Sequence, residues 1–180
     1  CAARGAEVIL VSGLVELHTH YPMHQHLCVE SAGQMFDAAT SLFYNVDVAI
    51  MAAAVADYTP EQGADKKIKR EKTGDMSLNL KPTQDIAACL GEMKERYPGK
   101  ILVGFALETN NEQYNAEDKL KRKNLDFIVL NSLNDKGAGF RCDTNKISII
   151  DRSGKKDYPL KSKAEVAADI IDHLVEGMNS

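Results

Sequence analysis

The stretch "VDVAIMAAAVADY", residues 46–58, decides the fold class of this chain. Its apolar run, bounded by polar residues, is typical of a parallel strand that is buried on both faces of a sheet. Small side chains from Ala52 to Ala56 follow the run, and Asp57 comes just after them. Since ligands of open α/β sheets bind beyond the carboxyl ends of the strands, the stretch predicts a central strand that leads into a ligand site.

Strand and helix patterns alternate along the rest of the chain. Further strands are predicted at 8–11, 76–81, 100–106 and 126–131, helices at 31–43, 83–96, 111–124 and 162–177, and a hairpin between 146–151 and 157–161. Ser31 with Gln34 and Ser162 with Glu165 form capping boxes, and Thr83 is the predicted cap of the second helix. We therefore predict an α/β fold: a three-layer αβα, Rossmann-like, mostly parallel sheet with a small C-terminal β-hairpin and helix.

Composition and charge narrow the class of protein. The 180 residues, 44% of them hydrophobic, suffice for one sizeable core, so we expect one domain over residues 1–180. Four scattered cysteines do not form a disulfide framework, which favours a reducing cytoplasm. No apolar run reaches the roughly 18 to 20 residues of a membrane span. The net charge of -4 argues against a nucleic-acid binder.

Two local clusters of basic residues stand out on this acidic chain. Lysine and arginine occupy five of the seven positions 66–72 and four of the five positions 119–123. Lys67 and Lys69 would point the same way in an extended segment, and Lys119 and Lys123, four apart on a helix, share a face. Such clusters are usually solvated surface, but these spacings also suit a small polyanion such as a nucleotide phosphate.

Other candidate residues lie where strands end or helices begin. Phe105 follows Gly104 at the carboxyl end of a predicted strand, where its ring would either wall a base or ribose or belong to the core. The helix that begins near Gln84, Asp85 and Ile86 offers free backbone N–H groups and a carboxylate, which can bind nucleotide hydroxyls or bases. The alanines after the Val46 strand are equally consistent with tight packing of a helix on the sheet.

The stretch "HTHYPMHQH", residues 18–26, holds four of the five histidines and raises the possibility of a zinc enzyme. A zinc site built on a helix would pair histidines four apart and support them with a carboxylate, and this stretch shows no such helix. A surface loop without a native metal is the preferred interpretation. Elemental analysis for stoichiometric zinc distinguishes the two hypotheses.

Several motifs then occur together in a specific order. "AAVADY", "KIK", "KPTQDI", "GFALETNN", "KLKRKNLD" and "GAGFRCDTN" follow one another with the spacing of bacterial phosphopantothenoylcysteine synthetase, the phosphopantothenate-cysteine ligase domain of the bifunctional coenzyme A biosynthesis protein. The resemblance runs over nearly all 180 residues. The family's first strand and its "NxSSGKMG" segment have no counterpart, so we expect that the domain lacks them.

The resemblance implies a ligase that uses CTP and Mg²⁺ to join 4'-phosphopantothenate and L-cysteine through an acyl-cytidylate. Carried over by position, the nucleotide-binding residues are Met51, Ala52, Ala53, Asp57, Lys67, Gln84, Asp85, Ile86, Ala87, Phe105, Lys119 and Lys123. Lys67 is also the candidate catalytic residue, and no protein metal ligand is assigned, with Mg²⁺ expected on CTP near Asp57. A nucleotide-binding regulatory module without turnover is the alternative.

The resemblance also implies features outside the pocket. Family members are homodimers, many carry a flavin decarboxylase domain, and a flap follows the strand that ends near Asn131, here residues 132–145. Gln84 stands where most members have proline, Leu107 where they have alanine, and Leu130 to Ser132 where they have "AND". None of these departures removes a charge, so we expect an altered pocket rather than a loss of activity.

Overall fold

The computed structural model describes residues 1–16, 19–63, 77–108, 110–132 and 143–178. The strands are β1 (Ile9–Ser12), β2 (Gln25–Cys28), β3 (Val48–Met51), β4 (Tyr58–Pro60), β5 (Leu80–Pro82), β6 (Ile101–Glu108), β7 (Phe127–Ser132), β8 (Thr144–Asn145), β9 (Ile147–Asp151), β10 (Gly154–Asp157) and β11 (Lys161–Ser162). The helices are α1 (Ala32–Leu42), α2 (Ile86–Lys94), α3 (Glu112–Arg122) and α4 (Lys163–Met178). Short 3₁₀ turns cover Ala2–Arg4 and Phe43–Asn45. No helix in these ranges is long and apolar enough to cross a membrane.

A five-stranded sheet in the order β10-β9-β7-β6-β3 forms the centre of the fold. β3, β6 and β7 run parallel, and β9 and β10 extend the sheet antiparallel beyond β7. Met51, the last residue of β3, lies opposite Gly104 in the middle of β6, so β6 continues for four residues beyond the end of β3. The predicted α/β fold with a mostly parallel central sheet is confirmed.

The sheet separates two hydrophobic cores, because successive side chains of a strand point to opposite faces. On one face, Leu102 and Ala106 of β6 pack in a cluster with Leu90 of α2 and Leu120 of α3. On the other face the buried residues, all from β6, β7, β9 and α4, are Val103, Phe127, Val129, Ile147, Ile149, Val166, Ile170 and Leu174. The three layers of the predicted architecture are therefore α1 to α3, the sheet, and α4.

The strand predicted from residue 46 differs from the expectation in its burial. β3 covers Val48–Met51, and its four residues are half-buried rather than buried on both faces. Within the described ranges β3 pairs with β6 alone, so its second edge lacks a neighbouring strand to cover it. The apolar run identifies the strand correctly but overestimates its burial.

The histidine-rich stretch is not wholly a loop. His26 lies in β2, which pairs in parallel with β1 in a separate two-stranded sheet. Its ring nitrogen Nε2 is 2.8 Å from Ser12 Oγ and 3.6 Å from Cys28 Sγ. The two short strands show no period-two burial pattern, which explains why the sequence alone did not reveal β2.

Both predicted capping boxes are present. Ser31 Oγ accepts a hydrogen bond from the backbone of Gln34, whose side chain accepts one from the backbone of Ser31. Ser162 and Glu165 repeat the arrangement at the start of α4. These reciprocal bonds satisfy N–H groups that the first turn of a helix leaves free, which makes the sequence signal reliable.

The C-terminal hairpin forms with a different second strand from the predicted 157–161. β9 turns at Arg152 and Ser153 and pairs with β10, whose first residue Gly154 has a φ of 140°. The Asp151 carboxylate accepts hydrogen bonds from the backbone N–H groups of Ser153 and Gly154 and fixes this tight turn. The segment around Lys161 instead pairs with β8.

Gly91 allows α2 to approach the end of α3 closely. A Cβ atom at Gly91 would lie 2.1 Å from the carbonyl oxygen of Lys123. Asn124, which has a φ of 49°, donates from Nδ2 to the carbonyl oxygen of Gly91 at 3.1 Å. The contact is between backbones and cannot be relieved by rotating a side chain.

We predict that Gly91→Ala lowers the free energy of unfolding by about 1–3 kcal/mol, the usual cost of overpacking. This reverses the ordinary gain of roughly 0.5–1 kcal/mol for alanine over glycine inside a helix. Gly177→Ala is the matched control, since a Cβ on that α4 residue meets nothing within 4 Å. Urea unfolding of both variants measures the difference, and equal stabilities would contradict the prediction.

Candidate active site

A pocket of about 300 Å³ opens beyond the carboxyl end of β3, beside the middle of β6. Its walls come from the segment after β3, the start of α2, the middle of β6 and one face of α3. The lining residues are Met51, Ala53, Val55, Asp57, Thr83, Gln84, Asp85, Ile86, Ala87, Gly104, Phe105, Lys119, Lys123, Leu125 and Ile128. The carboxyl-end rule correctly placed the cavity after β3, but Phe105, expected at the end of its strand, lies in the middle of β6 because that strand continues to Glu108.

Most of the residues expected to bind a nucleotide meet in this pocket. Ten of the twelve are in its lining: Met51, Ala53, Asp57, Gln84, Asp85, Ile86, Ala87, Phe105, Lys119 and Lys123. Ala52 is exposed between two lining residues but is not itself in the wall. Lys67 lies outside the described residues, as does the flap segment around Lys136 to Arg141. The role of each residue in binding stays a prediction.

Sequence reasoning missed five residues of the wall. Val55 and Gly104 were inside quoted motifs but had no assigned role, and Thr83 was taken for a helix cap. Leu125 and Ile128 are buried core residues that also face the cavity. An apolar residue that serves both the core and a pocket has no separate signature in a sequence, because either role favours the same residue type.

Thr83 joins the two segments that form one side of the pocket. Its backbone N–H donates to the carbonyl oxygen of Asp57 at 2.9 Å, and its hydroxyl donates to that of Ala56 at 2.7 Å. These bonds continue the antiparallel pairing of β4 with β5. The helix cap is Asp85, whose Oδ1 accepts from the Ala88 N–H at 3.1 Å. The prediction of Thr83 as the cap is wrong, because its hydroxyl donates to the Ala56 carbonyl oxygen instead of accepting a hydrogen bond from the first turn of α2.

Asp85 also holds one of the two pocket lysines. Lys123 Nζ lies 2.8 Å from Asp85 Oδ2 and 3.0 Å from Oδ1. Partial burial by itself would raise the pKa of Asp85, but the hydrogen bonds from Lys123 and Ala88 and the charges of Lys123 and Arg122 hold it below the usual 3.8. Asp85 is therefore ionised at neutral pH, and its negative charge faces the cavity.

A second carboxylate holds the other pocket lysine. Lys119 Nζ lies 2.6 Å from Oε1 of Glu108, the last residue of β6. The second oxygen of Glu108 accepts from Asn115 Nδ2 at 3.0 Å. Burial raises the pKa of Glu108, whereas the hydrogen bonds from Lys119 and Asn115 and the Lys119 charge lower it, and the net direction is down. Each lysine of this helix face is thus paired with a carboxylate.

The arrangement can bind an anion that carries a planar ring. Lys119 and Lys123 line one wall, and Ile86 and Ala87 line another at the start of α2, where backbone N–H groups have no partner within the helix. Phe105 is 39% exposed, which is unusual for a phenylalanine in a central strand, and its ring is available for stacking. A nucleotide supplies the phosphates, the ribose hydroxyls and the base that these groups recognise.

The structure also bears on the metal hypothesis for the histidine stretch. Within the described residues, no group of three or more histidine, cysteine, aspartate or glutamate side chains is placed to hold a metal ion. His18 lies outside those residues. Cys1, Cys28 and Cys89 are free thiols.

Fold and pocket together define an α/β domain with a cavity beyond the carboxyl end of β3 that two lysines line. The family model of the DNA/pantothenate metabolism flavoprotein C-terminal domain matches residues 1–178. The crystal structure of the C-terminal domain of coenzyme A biosynthesis bifunctional protein CoaBC is 36% identical, with a TM-score of 0.76 over 97% of this chain and 76% of that chain. The chain belongs to the DNA/pantothenate metabolism flavoprotein C-terminal domain family.

Two curated relatives and one further structure extend the comparison. CoaBC from Bacillus subtilis is 42% identical over 171 residues, 94% of this chain and 41% of that protein. A protein from an unknown prokaryotic organism, named cysteine/cysteine sulfinic acid decarboxylase, is 56% identical over 175 residues, 97% of this chain and 48% of that protein. The chain spans less than half the length of both. A Cab2 variant in complex with phosphopantothenate-cysteine shares the fold at 19% identity, with a TM-score of 0.66 over 86% of this chain and 53% of that chain.

We predict that Asp85→Ala costs about 1 kcal/mol of stability through loss of the α2 cap. Asp85→Asn should cost less, because asparagine also caps a helix and the substitution removes only the partly exposed pair with Lys123. A carboxyl whose folded pKa is depressed contributes stability above its unfolded pKa. The advantage of wild type over Asp85→Asn should therefore be complete near neutral pH and disappear as the pH falls through the folded pKa, below 3.8.

Urea unfolding between pH 7 and pH 2 measures both effects. Asp118→Asn is the matched control, since Asp118 faces an exposed arginine, Arg122, at 3.6 Å and caps no helix. A difference between wild type and Asp85→Asn that is constant over this pH range would contradict the assigned ion pair.

Proposed function

We propose that this domain ligates 4'-phosphopantothenate and L-cysteine at the expense of CTP, a step of coenzyme A biosynthesis that takes place in the cytoplasm. The observation that carries the proposal is the convergence of ten predicted nucleotide-binding residues on one cavity with two charged lysines. The relatives named CoaBC and the Cab2 complex with phosphopantothenate-cysteine support the same reaction.

The proposed reaction has two steps. An oxygen of the phosphopantothenate carboxylate attacks the α-phosphorus of CTP, which forms an acyl-cytidylate and releases pyrophosphate. The amine of L-cysteine then attacks the acyl carbon, loses a proton and expels CMP, which leaves phosphopantothenoylcysteine. The first step concentrates negative charge on the phosphates, and fixed cations lower its barrier most when they are in place before the reaction.

Lys119 and Lys123 are the described cations that would bind the nucleotide, and Lys67 is the proposed catalytic lysine. The start of α2 would contact the base and ribose through the N–H groups of Ile86 and Ala87 and the carboxylate of Asp85. Phe105 would stack against the base or ribose. Each role requires the residue to line the cavity, as all of them do except Lys67, which lies outside the described residues.

Asp57 is the residue that fits Mg²⁺ bound with the nucleotide. It lines the cavity, and its carboxylate has no ion-pair partner among the described residues. Mg²⁺ is commonly held by one or two carboxylates together with substrate phosphates, and it neutralises phosphate charge when bound.

In the direct test, the natural protein is incubated with CTP, 4'-phosphopantothenate and L-cysteine, and the release of pyrophosphate and CMP is measured. Formation of phosphopantothenoylcysteine supports the proposal. CTP binding without turnover would favour a regulatory nucleotide-binding module. Release of CO₂ from L-cysteine without CTP would instead favour the activity that names one of the relatives.

We predict that Lys67→Gln lowers kcat for acyl-cytidylate formation by roughly a hundredfold, the usual effect of removing one charged stabiliser of a transition state. Lys121→Gln is the control, because Lys121 lies on α3 but lines a different groove. Single-turnover formation of the intermediate measures the step. A wild-type rate in the Lys67→Gln variant would refute a catalytic role for Lys67.

We further propose that the protein is a homodimer and that the flap around Lys136 to Arg141 closes over bound CTP, as the family resemblance implies. A lid would protect the acyl-cytidylate from water. Light scattering should give twice the chain mass, and protease should cut the flap more slowly at saturating CTP, because cleavage follows the open population. A monomeric mass refutes the dimer, and equal cleavage rates refute the lid.

A further inference from the structure

Glu108, the last residue of β6, pairs with Lys119 of the pocket wall. Its side chain is 15% exposed, and the residues that line the cavity include Lys119 but not Glu108. A mostly buried carboxylate requires partners for its charge and its lone pairs. Glu108 finds them on α3, the helix that carries both pocket lysines.

Both carboxylate oxygens of Glu108 are engaged, each by a different residue. Oε1 is 2.6 Å from Lys119 Nζ, and Oε2 accepts from Asn115 Nδ2 at 3.0 Å. The same Asn115 nitrogen also donates to the carbonyl oxygen of Asn110 at 3.1 Å. Because the two oxygens have separate donors, the plane of the carboxylate is fixed, and with it the position of the Lys119 ammonium group.

The neighbouring pair of Lys123 and Asp85 differs in one respect. Asp85 is 42% exposed and belongs to the pocket wall, so a ligand hydroxyl or amino group can compete with Lys123 for it. Glu108 is mostly buried and is not part of the pocket wall, so a ligand in the cavity meets Lys119 but not Glu108. The Lys119–Glu108 contact can therefore persist when an anion is bound.

We propose that Glu108, supported by Asn115, is a positioning residue that holds the Lys119 ammonium group at the pocket wall for the phosphates of the ligand. Lysine has three ammonium donors on a long flexible stem, and ordering that stem at the moment of binding costs conformational entropy. Glu108 engages one donor before the ligand arrives and leaves two for the anion. This inference adds a role for Glu108 to the proposed function. Its statement about nucleotide binding rests on that function, whereas its statement about anion binding does not.

A positioning role and a purely electrostatic role of Glu108 predict opposite changes in the affinity for an anion when Glu108 is replaced. Glu108 is ionised at neutral pH, since Lys119 and Asn115 together outweigh the effect of burial on its pKa. Removal of this negative charge makes the pocket more positive, so a role through charge alone predicts tighter binding of an anion. Loss of positioning predicts weaker binding, because Lys119 is no longer held.

The experiment measures the affinity of the natural protein for MgCTP and for inorganic tripolyphosphate by calorimetry, in wild type, Glu108→Gln and Glu108→Asp. Glu117→Gln is the matched control: it removes the same charge from α3, but Glu117 pairs with Gln113 and lines another groove. We expect Glu108→Gln to weaken tripolyphosphate binding about five- to tenfold, Glu108→Asp to recover part of it, and Glu117→Gln to leave it unchanged.

Asn115→Ala keeps the Lys119–Glu108 pair but removes the hydrogen bond to the second carboxylate oxygen of Glu108. It should reduce tripolyphosphate affinity by less than Glu108→Gln does. In the ligase assay, Glu108→Gln should raise KM for CTP more than it lowers kcat. Unchanged or tighter tripolyphosphate binding by a folded Glu108→Gln protein would overturn the inference, as would a wild type that binds neither probe. A wild type that binds tripolyphosphate but not CTP would refute the proposed nucleotide, and the inference would then be decided by tripolyphosphate alone.

Discussion

The parallel register of β3 and β6 is the constraint on which the candidate site depends. Met51, the last residue of β3, lies opposite Gly104, and both strands run in the same direction, so the segment that follows β3 leaves the sheet beside Phe105. A shift of one residue would turn each side chain to the opposite face and separate Ala53 and Asp57 from Phe105. Hydrophobic burial on both sides of β6, where Leu102 and Val103 face different cores, makes such a shift costly.

The placement of the cations depends on a second constraint, the close contact of α2 with the end of α3. Gly91 permits the carbonyl oxygen of Lys123 to approach within a distance that any side chain would forbid. This contact brings the cap of α2, Asp85, to Lys123. Backbone packing therefore supports the electrostatics of the site, and the pocket lysines are paired without being fully buried. Partial exposure leaves both of them accessible to a ligand.

The sequence predicted the elements whose signals are local. Helix caps such as Ser31 with Gln34 and Ser162 with Glu165 rest on contacts within four residues, and both are present. Predictions failed where a distant partner decided the outcome. Thr83 has the side chain of a cap, but its hydroxyl bonds to the backbone of Ala56. The second strand of the hairpin is β10 rather than 157–161, because the Asp151 carboxylate fixes a tight turn that brings Gly154 opposite Asp151.

By itself the sequence determined the fold class, the end of β3 at which the cavity lies, and most residues of the cavity. These follow from apolar periodicity, from the rule for parallel strands, and from motif order. Tertiary structure decided which carboxylate each lysine meets. Glu108 and Lys119 are eleven residues apart and belong to a strand and a helix, and Asp85 and Lys123 are separated by thirty-eight. Such pairs have no period in the sequence, because their geometry exists only after the helices have packed on the sheet.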